Sequence, residues 1–416
     1  MTYVFLIVMA ALLFIQYKRE HNIVNCVSIL IAPYFIIVLF NKLVFEKLGF
    51  FEISDNVLLM LMSSMIVFFI GAMFVTPHEI PIIYEEDNNT RYDQYKIDSM
   101  ANFVILLGVI AIIKLIQLIL TGGFRSNFDD MEGVMGNGIV GHLLLLSYSL
   151  IPILFLYWLD HKRKVKCILA IILILIVTFA TFVKYNIIGV IVSLFICTTI
   201  YKKSLLKRSL MIMFSTVVAI FVINYAMGFV IRSISVDNSF YLNHFWVYAG
   251  GSVINDNGIF TGTVNNDFGV LYRLCIFLFA LPNMFIKKFS GGVGVFPHVK
   301  KPFLSIGNKY GMQSNVVDAF GYLYPYGKGT FEYVIYYFSI FLLGMIFTSI
   351  YVKSKRNSKY FNVFGINFMT YFVFFSFFGT FYINSGPWEI LVYSALIPCL
   401  FLTETKLRHG KIKIPR

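Results

Sequence analysis

The chain has 416 residues, 58% hydrophobic and only 13% charged. A soluble domain carries about 25% charged residues, so this composition excludes a water-soluble globule and points to lipid as the solvent. The net charge of +13 is informative through its placement along the chain rather than its size.

A membrane helix takes about 20 apolar residues. The hydropathy pattern predicts spans at 3–16, 23–40, 57–75, 100–120, 139–159, 165–182, 187–200, 210–227, 330–352, 361–381 and 388–402. Pro33, Pro152 and Pro398 fall inside spans, where neighbouring helices can satisfy the freed carbonyls. No positive charge precedes the first apolar run, and Lys18 and Arg19 follow it. That is the reverse of a secretory leader, so the run reads as a first span. The expected fold class is an all-α polytopic membrane protein of about 11 transmembrane helices, one integral domain over 1–416. A single large extracytoplasmic loop at 228–329 is expected to carry short interfacial helices, with the apolar stretch 269–286 lying in the interface.

Basic residues orient the spans, because short cytoplasmic loops collect Lys and Arg. Lys18 and Arg19, the clusters at Lys162–Lys166, Lys202–Arg208 and Lys353–Lys359, and the tail from Lys406 to Arg416 then share one side. That side is cytoplasmic, which places the N-terminus outside and the C-terminus inside. Of the five cysteines, Cys275 alone lies outside the apolar segments, so no internal disulfide framework is expected. No Cys or His cluster has zinc spacing, and no metal or cofactor is expected.

Topology explains the cytoplasmic cations but not those expected outside. Loop 228–329 holds Arg232, Arg273, Lys287, Lys288, Lys300, Lys301, Lys309 and Lys328 against Asp237, Asp256, Asp267 and Asp318. A net positive outer loop fits an anionic ligand or anionic headgroups, and nothing in the pattern points to nucleic acid. Arg125 follows the fourth span directly, Lys184 sits in the short turn between the sixth and seventh, and Lys114 lies within the fourth span near its outer end. Arg125, Lys184, Arg232 and Arg273 are the candidate ligands for an anionic group. Acid–base candidates are His244, His298, Asp256, Asp267 and Asp318. His244 and Asp256 rank first, since they flank a Gly-rich segment just after the eighth span. Aromatic rings near polar groups, as in the run around His244, suit the C–H face of a sugar; anchoring the loop at the interface explains the same rings equally simply.

With many spans, a large outer loop before the last three, the segment YAGGSVINDN at 248–257 and the segment SNVVDAFGYLYPYGKG at 314–329, the chain resembles the bacterial O-antigen and capsular oligosaccharide repeat-unit polymerases. The first segment is similar to the tyrosine-glycine stretch that opens the family's outer loop. The second, which contains Asp318 and Tyr324, is similar to the stretch that closes it. Lys184 stands where family members often carry Arg. The resemblance implies an integral-membrane glycosyltransferase of the bacterial inner membrane, without nucleotide-sugar donor, cofactor or metal. Its implied substrate is an undecaprenyl-diphosphate-linked oligosaccharide, and its implied partners are the bilayer, a chain-length regulator and a flippase. An O-antigen ligase shares the donor and architecture and would use a loop histidine, His244 or His298. A flippase would show two similar halves, and no internal repeat is present.

Overall fold

The computed structural model describes residues 1–76, 90–120, 138–160, 164–180, 184–232, 238–264, 273, 286, 289–290, 303–309, 311–356, 362–381, 384–398 and 400. The chain is mostly helical. In order, the helices are α1 Thr2–Glu20, α2 Cys26–Phe40, α3 Asp55–Met73, α4 Thr90–Leu120, α5 Gly138–Asp160, α6 Val165–Ala180, α7 Lys184–Tyr201 and α8 Leu206–Arg232. The expected outer loop contributes α9 Asn238–Ala249, α10 Gly251–Asn255, α11 Asn257–Phe260, the strands β1 Leu304–Ser305 and β2 Gln313–Ser314, and α12 Ala319–Leu323. The C-terminal helices are α13 Thr330–Arg356, α14 Val363–Phe368 and α15 Ser385–Ile397.

Among the described residues, six helical stretches are long and apolar enough to cross a membrane: Thr2–Glu20, Cys26–Leu48, Asp55–Met73, Tyr95–Gln117, Ile139–Leu159 and Thr330–Ser354. Shorter apolar helices cover Val165–Phe179, Tyr185–Tyr201 and Val363–Phe377. With no soluble composition to set against them, these define a helical membrane protein.

Element ends differ from the sequence expectation where polar residues continue a helix. α4 starts at Thr90, well before the apolar run, because no Pro or Gly interrupts TRYDQYKIDS and the hydrogen-bond ladder propagates through it. α7 begins at Lys184, so this residue opens a helix rather than sitting in a turn. The tenth predicted span is not one regular helix: after α14 the chain passes through a π turn at Met369–Val373 and a 3-10 turn at Phe374–Phe377. The loop is not purely helical either. Leu304 pairs with Ser314 and Ser305 with Gln313 in a small antiparallel ladder, closed by a turn in which Gly311 has φ 82°. The stretch 269–286 lies outside the described residues except for Arg273 and Ile286.

The chain forms two compact units. One comprises Met1–Glu79, Val236–Lys353 and Met369–Trp388; the other comprises Ile80–Ser235, Ser354–Phe368 and Glu389–Arg416.

In the first unit, side-chain caps start the helices: Asn25 accepts from the Ser28 N–H at 2.8 Å and Ser54 from the Val57 N–H at 3.4 Å. α3 and α13 touch through their backbones. A Cβ at Gly71 would lie 2.2 Å from the Phe341 carbonyl oxygen, and one at Gly344 would lie 2.2 Å from that of Phe68. Lipid offers apolar side chains no reason to associate, so close approach at small residues and shared hydroxyls hold such helices together. The hydroxyls here are Ser64 with Tyr336 at 2.7 Å and Ser63 with Tyr337 at 2.9 Å. Arg19, expected only as a cytoplasmic marker, also donates to the Ala72 and Met73 carbonyls at 3.2 Å and to that of Val75, capping the end of α3.

In the second unit, α4 packs on α5 and α6, α5 on α6 and α7, and α7 on α8. Ile187, Ile191 and Ile220 form a small core with Phe179, Met213 and Val217.

Candidate functional site: a buried acidic pair between two loop segments

The loop segments read from sequence as separate motifs dock on each other in the first unit. α9 ends at Ala249, and Gly250 and Gly251 turn the chain into α10. Side chains do not fit at this corner: a Cβ on Gly250 would lie 2.7 Å from the Trp246 ring, and one on Gly251 would lie 3.1 Å from Ile306. Trp246 is held from both sides, stacked on Phe45 at 3.8 Å and donating from Nε1 to Asn41 Oδ1 at 3.0 Å.

Each polar side chain that follows ties this corner to something else. Ser252 donates to the Phe377 carbonyl, and Asn255 Nδ2 donates to the Val316 carbonyl at 3.0 Å. Asn257 accepts from the Ser54 N–H at 2.9 Å and donates to the Glu52 carbonyl at 2.9 Å, fastening α11 to the start of α3. The hairpin lies on the same region, with the Phe51 N–H donating to the Ile306 carbonyl at 2.9 Å. The described parts of the long segment thus dock on residues 41–54, between α2 and α3.

At the centre stand Asp256 and Asp318, both 0% exposed. Asp318 is the N-cap of α12: its Oδ1 accepts from the Gly321 N–H at 2.6 Å, and its own N–H donates to Asp256 Oδ1 at 3.3 Å. Asp256 Oδ2 and Asp318 Oδ2, the second oxygens of the two carboxyls, are buried as well. Burial pushes the Asp318 carboxyl up to about 6, opposed by the bond to Asp256 and by the Gly321 and Phe320 N–H groups. Gly321 sits directly against Asp256, where a Cβ would come 2.5 Å from Oδ1. Arg273, 1% exposed, donates from Nε to the Leu323 carbonyl at 2.9 Å, at the other end of α12. Among the described residues, Asp256, Asp318 and Arg273 are the charged side chains that are buried. Buried charge is costly unless compensated, and concentrating all of it on one short helix and its neighbour marks this as the candidate site.

Tyr324 ends α12, half-buried, its ring edge-on to Tyr333 at 5.5 Å and to Tyr336 at 5.4 Å. Burial, and then the neighbouring tyrosines, raise its hydroxyl well above the usual range. His244 is half-buried on α9. Arg125, Asp267 and His298 lie outside the described residues, as do the side chains of Lys184 and Arg232, whose backbones lie in α7 and at the end of α8. The structure therefore unites Asp256, Asp318, Arg273 and Tyr324. Sequence reasoning missed Asn255, Asn257, Gly321 and Tyr336. One signal was available: Asp318-Ala-Phe-Gly321 before a turn is an N-cap pattern. The contact between Asp256 and Gly321 has no local signal. Both carboxyls are sealed from water in this structure.

Comparison with family models, with curated proteins and with solved structures gives no match.

Proposed function

We propose that this protein is an integral-membrane glycosyltransferase that polymerises undecaprenyl-diphosphate-linked oligosaccharide repeat units into a bacterial surface polysaccharide. The observation that carries the reading is the docking of 248–257 on 314–329, the stretches that resemble the polymerases, around the buried Asp256, Asp318 and Arg273. In this reading the protein sits in the inner membrane with its N-terminus outside and its C-terminus cytoplasmic. An acceptor hydroxyl attacks the anomeric carbon of the growing chain, the bond to the lipid diphosphate breaks, and the hydroxyl proton passes to a base. The leaving diphosphate needs charge-assisted hydrogen bonds from cationic side chains, for which Arg125, Lys184, Arg232 and Arg273 are the candidates. His244 is the base candidate with solvent access, and the acidic pair is the candidate that needs an opening movement.

Deleting the gene tests the reading: surface glycan should collapse to single repeat units, and the wild-type gene should restore long chains. Unchanged chain length after deletion would falsify it. Cysteine accessibility at positions 164, 265 and 411 tests the orientation, with 265 alone expected to react from outside.

A further inference from the structure

Beside the acidic pair, a run of aromatic rings leads from the interior of the first unit to its surface. Its inner end is Tyr336, 0% exposed, with its hydroxyl on Ser64. Tyr324 meets Tyr336 edge-on, Phe260 tilts against Tyr324 at 5.4 Å, and Tyr326 meets Phe260 edge-on at 5.1 Å. These rings come from the end of α11, the exit of α12 and the first turns of α13, so the run is made by the fold and not by one stretch of sequence.

The outer end is open and its rim is polar. Tyr326 is 45% exposed. The two turns beside these rings, at Gly262 and Gly327, have φ 73° and 71°, and a Cβ on either would meet no atom within 4 Å. The Thr261 and Thr263 hydroxyls lie 3.0 Å apart beside Phe260, and both can donate to the Gly258 carbonyl, leaving lone pairs to accept from a ligand. Glu332, half-buried in the first turn of α13, adds a carboxylate. In an edge-on pair one ring sets its edge against a face of the other, so such a run covers fewer ring faces than a stacked column does. A pyranose presents a row of C–H groups on one face, which packs on such a ring, and hydroxyls around its edge, which need acceptors like these.

We propose that the open face of Tyr326, backed by Phe260 and Tyr324, is a subsite for one pyranose ring of a membrane-anchored saccharide, its hydroxyls held by Thr261, Thr263 and Glu332. This rests on the glycosyltransferase reading and names the place where that substrate is gripped. The location is consistent with it: the apolar stretch Thr330–Ser354 begins just after Tyr326, so the ring lies where a saccharide leaves its lipid anchor.

The test uses the full-length protein in lipid nanodiscs and, as probe, the repeat-unit oligosaccharide of its own cell released from lipid by mild acid. Saturation-transfer NMR should show the C–H protons of one pyranose taking up magnetisation from the protein. Tyr326→Phe should keep this binding, whereas Tyr326→Leu, which retains an apolar side chain, should weaken it at least about fivefold. Equal binding by the Leu variant overturns the subsite and marks the face as a membrane anchor. If deletion collapses the polymer while the Leu variant binds normally, the subsite fails and the polymerase reading stands. If the Leu variant loses binding while deletion leaves the polymer intact, the polymerase reading fails and the saccharide site stands.

Discussion

In the first unit, Asp256, Asp318 and Arg273 are buried. In the second, the buried polar side chains among the described residues are hydroxyls and amides: Ser147, Thr178, Ser193 and Asn367 are examples. Thr178 donates to the Ile174 carbonyl at 2.6 Å and Ser193 to the Val190 carbonyl at 2.8 Å, so these groups are satisfied within their own helices. Ion pairs in that unit are partly exposed: His142 with Glu389 at 2.6 Å and Lys164 with Asp98 at 3.5 Å. Both units pack apolar helices, yet among the described residues the fully buried charged side chains all belong to the first. A bundle needs no buried charge to be stable in lipid, so the buried charge in the unit that carries the folded-back loop calls for a reason beyond packing.

The largest effect should come from removing one member of the buried cluster. Asp256→Ala removes the acceptor of the buried Asp318 N–H and leaves a cavity beside Gly321, costing about 3 kcal/mol. Limited proteolysis should then cut the 303–329 region of purified protein readily, and chain length in cells should fall to single units. Protease resistance equal to wild type would show that the cluster does not hold the platform.

Gly321→Ala probes the same contact without changing charge. The added methyl meets the Asp256 carboxylate, and the displacement should cost about 1–3 kcal/mol. A lower thermal midpoint with shortened chains is expected; an unchanged midpoint would mean that the two segments are not pressed together.

The pair also makes the platform sensitive to pH. Folding raises the Asp318 carboxyl to about 6, so the folded state favours the protonated form. That stabilisation is complete below the ordinary carboxylate range and is lost as pH rises through about 6, amounting to about 1–3 kcal/mol. Protection of the loop from protease should therefore weaken from about pH 4 to about pH 6. Asp318→Asn keeps an N-cap of equal quality and cannot titrate, so its profile should be flat; a wild-type profile in that variant would place the titration elsewhere.

The smallest effect belongs to the second unit. His142→Ala removes an exposed partner of Glu389 and should change stability by roughly 0–1 kcal/mol. A loss as large as that of Asp256→Ala would erase the contrast between the units.

What the sequence determined by itself is the solvent. A composition this apolar, with charges gathered between runs, leaves lipid-crossing helices as the main solution, because a backbone in hydrocarbon must satisfy its own hydrogen bonds. The runs at 57–75, 139–159 and 330–352 stand as helices close to where hydropathy puts them, since apolar length is a local property. So is the N-cap of α12, readable in Asp318-Ala-Phe-Gly321. The tertiary structure alone decided that Asp256 and Asp318, 62 residues apart, share a hydrogen bond, that Gly71 and Gly344 bring α3 and α13 into backbone contact, and that Phe260 and Tyr326 belong to one aromatic run. Each of these joins residues far apart in the chain. Carboxyls, glycines and rings look the same in sequence whether they face water, lipid or one another, and only packing sets the burial that gives them different chemistry.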